Sequence, residues 1–210
     1  MSSDDLLASL HQGLTDLGED PGTHPCQTYL DYLALLSQWN QAYSLTGIRD
    51  RQQMLTHHIF DSLAVLPFIR GTACLDVGSG AGLPGLILAL ARPAQNWCLL
   101  DSNSKKVRFL RQAVLELHIN NVDVVQVRVE DYHPDTGYST IISRALTDLP
   151  TFYQYVISLV QKPGRIIAMK GARLEPELRE LRTAGITYSV HALQVPGLDK
   201  QRHLVVIDSN

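Results

Sequence analysis

An apolar run that ends in an acidic residue and is followed by a glycine-rich turn is the stretch of this chain best suited to chemistry. Residues 74–85 read CLDVGSGAGLPG, and apolar residues at helical spacing come next. A strand, a glycine turn and a helix in this order bind a nucleotide-like cofactor at the carboxyl end of a sheet strand. The turn therefore predicts a cofactor site, and glycines that serve only a tight turn are the alternative.

The charge beside the turn distinguishes between cofactors. Gly80, Gly82 and Gly85 satisfy the dinucleotide fingerprint G-x-G-x-x-G, but Asp76 precedes the turn, where a pyrophosphate would bring negative charge. S-adenosylmethionine carries a sulfonium and an ammonium cation instead, and an acidic residue favours both. We therefore predict S-adenosylmethionine, with Asp76, Gly78, Gly80 and Gly82 as contacts.

Two later segments fit the same cofactor. Asp101 ends the next apolar run, 19 residues after Gly82, close to the spacing of about 20 at which an acidic residue meets a ribose hydroxyl. Its alternative role is the N-cap of the helix that follows. Val129 and Glu130 end the third predicted strand, where an adenine ring would lie; Glu130 and Asp131 could equally be solvated loop charges.

The residues after the fourth predicted strand, Ser143, Arg144 and Ala145, mark where a transferred methyl group would lie. Enzymes that methylate base amines commonly carry an Asn/Asp-Pro-Pro-Tyr/Phe motif there, which is absent. Methylation of pyrimidine C5 needs a cysteine nucleophile, and Cys74 and Cys98 fall within strands. These observations favour an acceptor that is already nucleophilic, such as guanine N7. Arg144 could contact the cofactor carboxylate or a phosphate, or form a surface ion pair.

Basic residues near the carboxyl edge of the predicted sheet are candidates for RNA contact, because phosphates are bound largely by Lys and Arg. For His58, a packed and hydrogen-bonded imidazole is the first expectation and substrate contact the second. We expect no metal near His57, His58 and Asp61, because the spacing suggests no third ligand. No catalytic acid or base is assigned; Arg144 and Lys170 are positioning candidates. The RNA candidates are His58, Lys170, Arg173, Arg202 and His203.

The elements that must position these residues fall into two regions. Residues 1–70 show helical periodicity and no strand pattern, so we expect a helical segment packed on a domain of residues 71–210. In that domain strands alternate with helices, which predicts a mostly parallel sheet covered on both faces. Helices are expected near Pro84–Ala91, Ser104–His118, Leu149–Val160 and Glu175–Ala184. The predicted strands are Ala73–Val77, Trp97–Leu100, Val122–Val129, Thr140–Ser143, Arg165–Met169, Thr187–Val195 and His203–Ile207.

The link before the last strand is too short for a helical crossover, so that strand should pair antiparallel. The predicted fold class is therefore α/β: a Rossmann-like class I methyltransferase with a seven-stranded, mostly parallel sheet and an antiparallel last strand, preceded by an N-terminal helical cap.

Net charge, cysteine content and the length of apolar runs limit the cellular location and the partners expected for this protein. The 210 residues carry a formal net charge of −3, so an RNA partner would have to be met by a local basic patch. The three cysteines are scattered, as in reduced, mostly buried thiols of a cytoplasmic protein. The longest apolar run, Leu83 to Ala91, is too short to cross a bilayer, and no secretory signal is apparent. We expect a cytoplasmic protein without membrane contact, and a monomer.

Several segments together resemble one family, the bacterial small-subunit ribosomal RNA guanine-N7 methyltransferases (glucose-inhibited division protein B family). The resemblance runs from about Trp39 to Ile207. The segments that carry it are 39–40 (WN), 45–46 (LT), 58–62 (HIFDS), 82–85 (GLPG), 100–102 (LDS), 106–110 (KVRFL), 142–145 (ISRA), 170–171 (KG) and 202–206 (RHLVV).

The resemblance implies methyl transfer from S-adenosylmethionine to N7 of one guanine in the 530 loop of 16S rRNA (nucleotide 527 in bacterial numbering). Carried over by motif, it implies cofactor contacts at Gly78, Leu83, Val129, Glu130 and Arg144. Two positions depart from it: Ser44, where the family often has asparagine, and His57, where it often has arginine. Both leave substrate-side details open.

Two other function classes are left to test. An RNA- or ribosome-binding module could keep the cofactor fold without turnover, and would bind no S-adenosylmethionine. An NAD-dependent oxidoreductase is disfavoured by Asp76 and by the terminal strand pair. The sequence does not distinguish naked rRNA, a nascent particle or the mature small subunit as the substrate.

Overall fold

The computed structural model describes residues 3–172 and 174–209, which form one seven-stranded sheet with helices on both faces. The strand order is β3-β2-β1-β4-β5-β7-β6. Neighbours from β3 to β5 pair in parallel, and β7 lies between β5 and β6, antiparallel to both. The predicted fold class is confirmed. The strands are β1 (Ala73–Val77), β2 (Asn96–Leu100), β3 (Val122–Val125), β4 (Tyr138–Arg144), β5 (Val160–Lys170), β6 (Ser189–Leu193) and β7 (Arg202–Ser209).

Alternate strand residues face two separate cores, because side chains along a strand point to opposite faces. In β1, Cys74 faces a core formed with the N-terminal helices, while Leu75 faces one formed with the later helices. The helices are α1 (Ser3–Asp16), α2 (Cys26–Tyr43), α3 (Arg51–Met54), α4 (Asp61–Leu63), α5 (Gly85–Ala91), α6 (Ser104–Glu116), α7 (Leu149–Val156) and α8 (Glu175–Thr183).

The N-terminal segment packs directly on the α5 and α6 side of the sheet. Buried residues of α1 and α2 share one core with α5 and α6, and the Tyr32 hydroxyl donates to the carbonyl of Ala81 in the glycine turn (2.8 Å). A π-helical stretch, Leu55–Phe60, joins α3 to α4. Helix α2 continues to Tyr43, and Trp39 in its last turns packs on Tyr43 and on Phe109 of α6.

Several element boundaries differ from those predicted, and strand pairing explains two of the differences. Strand β3 ends at Val125 rather than Val129, because β2, its neighbour in the sheet, ends at Leu100 and offers no further partner. Helix α7 ends at Val156 rather than Val160, because Val160 instead pairs with Tyr138 of β4. The first difference moves Val129 and Glu130 from a strand end into a short 3₁₀ turn, Val129–Asp131.

The cysteines are free and buried, as predicted. No helix within residues 3–172 and 174–209 has the length and apolar character to span a membrane.

Candidate functional site

A cleft of about 870 Å³ lies along the sheet edge at which the parallel strands end. Residues that follow β1, β2, β4 and β5 line it, together with the start of β7 and the segment after β3. The cap contributes Leu45, Thr46 and Asp61. The fold therefore brings most of the predicted site residues to one place.

The glycine turn after β1 has a backbone that only glycine adopts readily. Gly78, Gly80 and Gly82 have φ angles of 72°, 60° and 91°. A Cβ on Gly78 would lie 2.6 Å from Leu146 Cδ1, and one on Gly82 would lie 2.8 Å from Leu86 Cβ. A Cβ on Gly80 would meet no atom closer than 3.9 Å. Gly82 is thus required by packing against α5, the contact at Gly78 is with the movable end of the half-exposed Leu146 side chain, and Gly80 leaves backbone open toward the cleft.

Asp101 ties this turn to the end of β2. Its Oδ2 accepts from Gly80 N–H (2.9 Å) and its Oδ1 from Asn103 N–H (2.8 Å). Lys106 Nζ lies 3.9 Å from the same carboxylate. The N-cap of α6 is Asn103, which accepts from the N–H groups of Lys105 and Lys106, so the capping role considered for Asp101 is filled by another residue. Asp101 lines the cleft beside the turn, where its carboxylate can meet a ribose hydroxyl.

Asp76 lies beneath the turn, and its carboxylate is fully buried. Its Oδ2 accepts from Gly85 N–H (2.8 Å), while Oδ1 has no hydrogen-bond partner in the described part of the chain. Burial raises the pKa of the Asp76 carboxyl to about 7. A Cβ on Gly85 would lie 2.7 Å from Asp76 Cβ, so this glycine is required for α5 to approach β1. The geometry favours Asp76 as a residue that shapes the turn over the predicted direct contact with cofactor cations.

The wall next to β3 is formed by the 3₁₀ turn. Val129 and exposed Glu130 both line the cleft, as does Tyr155 of α7. Leu83 lines the cleft below the glycine turn and is buried. An apolar wall with an exposed carboxylate at its rim is compatible with the adenine expected at Val129 and Glu130, and this role stays a prediction.

The opposite end of the cleft holds an ion cluster that joins three elements. Arg144, at the end of β4, donates from Nη1 to Asp61 Oδ2 (3.1 Å) and to the carbonyl of His57 (3.0 Å). Arg202, at the start of β7, donates from Nε to Asp61 Oδ1 (2.9 Å). Asp61 is 1% exposed, and all three side chains line the cleft. We call Asp61, Arg144 and Arg202 the Arg–Asp–Arg cluster. Arg144 is thus an ion-paired cleft residue rather than a surface one.

Lys170, at the end of β5, already makes two hydrogen bonds within the protein. Its Nζ donates to the carbonyl of Thr147 (2.6 Å) and to Glu177 Oε2 (2.7 Å), and its side chain is 14% exposed. Glu177 also accepts from Leu149 N–H (2.7 Å). Lys170 therefore pins the loop after β4, and its charge is matched by Glu177.

The remaining RNA candidates have different placements. His58 is 3% exposed, its Nε2 lies 3.2 Å from Thr46 Oγ1, and burial lowers the pKa of its imidazole to about 4. Substrate contact by His58 is therefore wrong for this conformation, and the packed alternative is correct. His203 is partly exposed, with Nδ1 3.2 Å from the carbonyl of Gly171. Arg173 lies outside the described residues.

Sequence reasoning missed two features of the site. Asp61 was considered only as a metal ligand, because its partners are 83 and 141 residues away in the chain. Ala145 has a φ of 55°, and the half-exposed Leu146 that follows it covers Gly78. The HIFDS segment is the one signal that could have indicated Asp61; no local pattern predicts the strained alanine.

The residues fit S-adenosylmethionine in the half of the cleft formed by β1, β2 and β3. There the open backbone of Gly80, the Asp101 carboxylate and the wall at Val129 and Glu130 lie together. These groups suit a ribose, a purine and a cationic amino-acid moiety. Within residues 3–172 and 174–209 no group of three or more His, Cys, Asp or Glu could hold a metal ion.

Solved structures show the same fold. Magnesium protoporphyrin IX methyltransferase from Synechocystis, with bound S-adenosylmethionine, matches 85% of this chain and 97% of its own at a TM-score of 0.61 and 15% identity. A SAM-dependent methyltransferase from Aquifex aeolicus matches 74% of this chain and 92% of its own at a TM-score of 0.57 and 20% identity. At these identities the likeness shows the fold alone.

Sequence comparison is more specific. A family model described as rRNA small subunit methyltransferase G matches residues 25–205. Ribosomal RNA small subunit methyltransferase G of Alkalilimnicola ehrlichii is 44% identical over 205 residues, which is 98% of this chain and 93% of that protein. The Legionella pneumophila protein of the same name is 45% identical over 180 residues, 86% of this chain and 85% of that protein. This chain therefore belongs to the rRNA small subunit methyltransferase G family.

Proposed function

We propose that this protein transfers the methyl group of S-adenosylmethionine to N7 of a guanine in the 530 loop of 16S rRNA, by direct displacement. Membership of the rRNA small subunit methyltransferase G family supports rRNA of the small subunit as the substrate. The choice of N7 rests on the chemistry of the cleft and on the family resemblance. On this proposal the enzyme is a cytoplasmic monomer whose helical cap, residues 1–70, forms part of the substrate side.

The observation that carries the proposal is the distribution of charge along one sheet edge. Asp101 and Glu130 stand after β2 and β3, on the half that fits a cationic methyl donor, where Lys106 and Arg128 also line the cleft. Arg144, Lys170 and Arg202 stand at the ends of β4, β5 and β7, on the other half. The charges of the first half offset each other, whereas the three cations of the second half outnumber Asp61 and Glu177, so the second half suits a polyanionic RNA. The methyl donor and the RNA would meet near Gly78, above the centre of the sheet.

The groups present suit an acceptor that needs no base. S-adenosylmethionine supplies an electrophilic methyl group on a sulfonium, and guanine N7 has a lone pair with no proton to remove. The cysteine thiols are buried in strands or under the cap, where burial raises the pKa of Cys74 to about 12. His58 is buried, and the Asp61 carboxylate is engaged by two guanidinium groups. The rate would therefore come from positioning.

The proposal is tested by mapping N7-methylguanine in 16S rRNA of a strain that lacks this protein. We expect one modified position in the 530 loop to be lost, and to return when the wild-type gene, but not an Asp101→Ala variant, is supplied. Purified protein should then methylate naked 16S rRNA, assembly intermediates or mature subunits, which identifies the form that is recognised. Unchanged modification in the deletion strain would refute the proposal. Failure to bind S-adenosylmethionine by isothermal titration would favour the RNA-binding module instead.

A further inference from the structure

We propose that the Arg–Asp–Arg cluster is an oxyanion site in which Arg202 contacts an RNA phosphate next to the target nucleotide, that Arg144 stays available to the cofactor, as the family resemblance implies, and that Asp61 is the positioning residue of both. This inference rests on the proposed function and names the side chains that would dock the RNA. Among the described residues, the cleft side chains at the ends of β4, β5 and β7 carry more positive than negative charge.

The charges in the substrate half of the cleft do not cancel. Glu177 matches Lys170 in a 2.7 Å pair, so that lysine has little charge to offer. Arg144 and Arg202 share one carboxylate, that of Asp61, at 3.1 Å and 2.9 Å. Two guanidinium groups on a single carboxylate leave a net charge of +1 in a half-buried place. A cluster with this excess is stabilised by one incoming anion.

The geometry leaves donors available for that anion. Within the described residues, both hydrogen bonds of Arg144 come from Nη1, so its Nε–H and Nη2–H groups remain for a ligand. Arg202 contacts Asp61 through Nε and the carbonyl of Gln201 through Nη1 (3.5 Å), so within the described residues its Nη2 makes no hydrogen bond and remains for a ligand. Each arginine side chain is about one quarter exposed, at 25% and 24%, and both line the cleft. A planar guanidinium with free N–H groups suits phosphate.

The surroundings of the cluster are also positive. His57 supplies its backbone carbonyl to Arg144, and the pKa of its imidazole is lowered by burial and by the charges of Arg202, Lys200 and Arg144, against an opposing contribution from Asp61. Lys200 is exposed in the loop between β6 and β7. Lys200 therefore adds one exposed positive charge close enough to act on His57 beside the cluster.

Asp61 does more than tie the cap to the sheet. It is the first residue after the π-helical stretch, and its N–H donates to the carbonyl of Thr56 in the i→i−5 pattern. Its two oxygens hold one arginine each, which fixes the angle between the two guanidinium groups. Phosphate docked there would have one register relative to Gly78, where the methyl group is expected. The predicted function of Asp61 is alignment of the RNA rather than attraction.

Alignment and attraction have different signatures. Asp61→Asn removes a negative charge next to an anion site, so RNA binding should stay within about threefold of wild type or become tighter. The loosened arginines should instead lower kcat by tenfold or more. Arg202→Gln removes a cation, so it should weaken RNA binding about tenfold and reduce the slope of log K against log[salt] by about 0.7, the value for one phosphate on a single strand. Arg202→Lys should keep that slope.

The chain offers a matched control at the opposite edge of the sheet. Arg165 donates to Asp208 from Nε (2.6 Å) and Nη2 (3.1 Å) and to the carbonyl of Phe68 from Nη1 (3.2 Å). This pair repeats the chemistry of Arg144 with Asp61 and His57, but away from the cleft. Asp208→Asn should lower thermal stability without changing kcat or the salt slope.

The experiment measures RNA affinity by fluorescence anisotropy with a 530-loop hairpin across a salt series, together with kcat, melting temperature and the Kd of S-adenosylhomocysteine. An unchanged salt slope in Arg202→Gln would overturn the phosphate site, and this arm stands even if Asp61→Asn fails to fold. Full kcat in Asp61→Asn would overturn its positioning role.

A further arm distinguishes the source of the oxyanion. If S-adenosylhomocysteine binds tenfold more weakly to Arg202→Gln while the RNA slope is unchanged, the cluster binds the cofactor carboxylate and the RNA assignment is wrong. Wild-type protein that binds S-adenosylmethionine but methylates no RNA would refute the proposed function itself, whereas methylation with an unaltered slope in Arg202→Gln refutes only this inference.

Discussion

Replacing Asp76 by asparagine tests whether burial raises the pKa of the Asp76 carboxyl in the folded protein. Asp76 is fully buried, with one oxygen bonded to Gly85 N–H and the other without a partner in the described residues. Burial raises the pKa of its carboxyl from 3.8 to about 7, and the Gly85 hydrogen bond and the Arg144 charge oppose this only in part. The folded protein therefore holds a proton at Asp76 over a range in which the unfolded chain has lost it.

The direction of the pH effect follows from that difference. Between about pH 4 and pH 7 the folded state binds more protons than the unfolded state, so the free energy of unfolding falls as the pH rises. For pKa values of 3.8 and about 7 the loss between pH 5 and pH 8 is roughly 3 kcal/mol. Asparagine does not ionise and keeps an acceptor for Gly85 N–H. Its buried amide NH₂ costs about 1–3 kcal/mol if unpaired, but by the same amount at every pH.

The free energy of unfolding of Asp76→Asn should therefore rise by roughly 3 kcal/mol relative to wild type from pH 5 to pH 8, whatever the difference at pH 5. Urea denaturation of the apo protein at both pH values, monitored by tryptophan fluorescence, measures the free energy of unfolding. Asp208→Asn is the control with the opposite sign. The hydrogen bond from Arg165 lowers the pKa of the Asp208 carboxyl, so its contribution is present above the ordinary pKa and lost on acidification. An equal difference between Asp76→Asn and wild type at pH 5 and pH 8 would refute the reasoning.

The remaining predictions concern binding and turnover. Gly80→Val should abolish cofactor binding yet leave the protein folded, because the φ of 60° is strained for valine while the space is open; wild-type affinity by calorimetry would contradict it. Gly82→Ala should instead lower the melting temperature, since its Cβ would lie 2.8 Å from Leu86 Cβ, and an unchanged melting temperature would count against this packing. Asp101→Ala should weaken S-adenosylhomocysteine binding at least tenfold, because it removes about 1.5–3 kcal/mol of charge-assisted hydrogen bonding. This loss of affinity should exceed that of Asp76→Asn. A larger loss in Asp76→Asn would indicate that Asp76 contacts the cofactor directly. Raising salt should suppress methylation of RNA, and a salt-insensitive rate would argue against phosphate-led docking.

The fold could be predicted because its signals are local. The alternation of strand and helix patterns, the glycine turn and the short final link each depend on residues within about twenty positions of one another. The cofactor half of the site shared this advantage, since Gly78, Gly80 and Asp101 follow adjacent strands whose ends meet at the same edge. The boundary of β3 could not be predicted, because its end at Val125 is decided by where β2 stops.

The sequence by itself determined the α/β class, the cofactor turn, the family and the residues at the strand ends, because strand ends of a parallel sheet converge whatever the details of packing. Only the tertiary structure decided what those residues do there. The tertiary structure buries Asp76 beneath the turn and His58 away from the cleft. It also pairs the Lys170 ammonium group with the Glu177 carboxylate. It further joins Asp61 to arginines 83 and 141 residues away. Ion pairing and burial depend on distances in space. Spacing along the chain does not predict contacts between residues that are brought together only by the packing of the cap on the sheet.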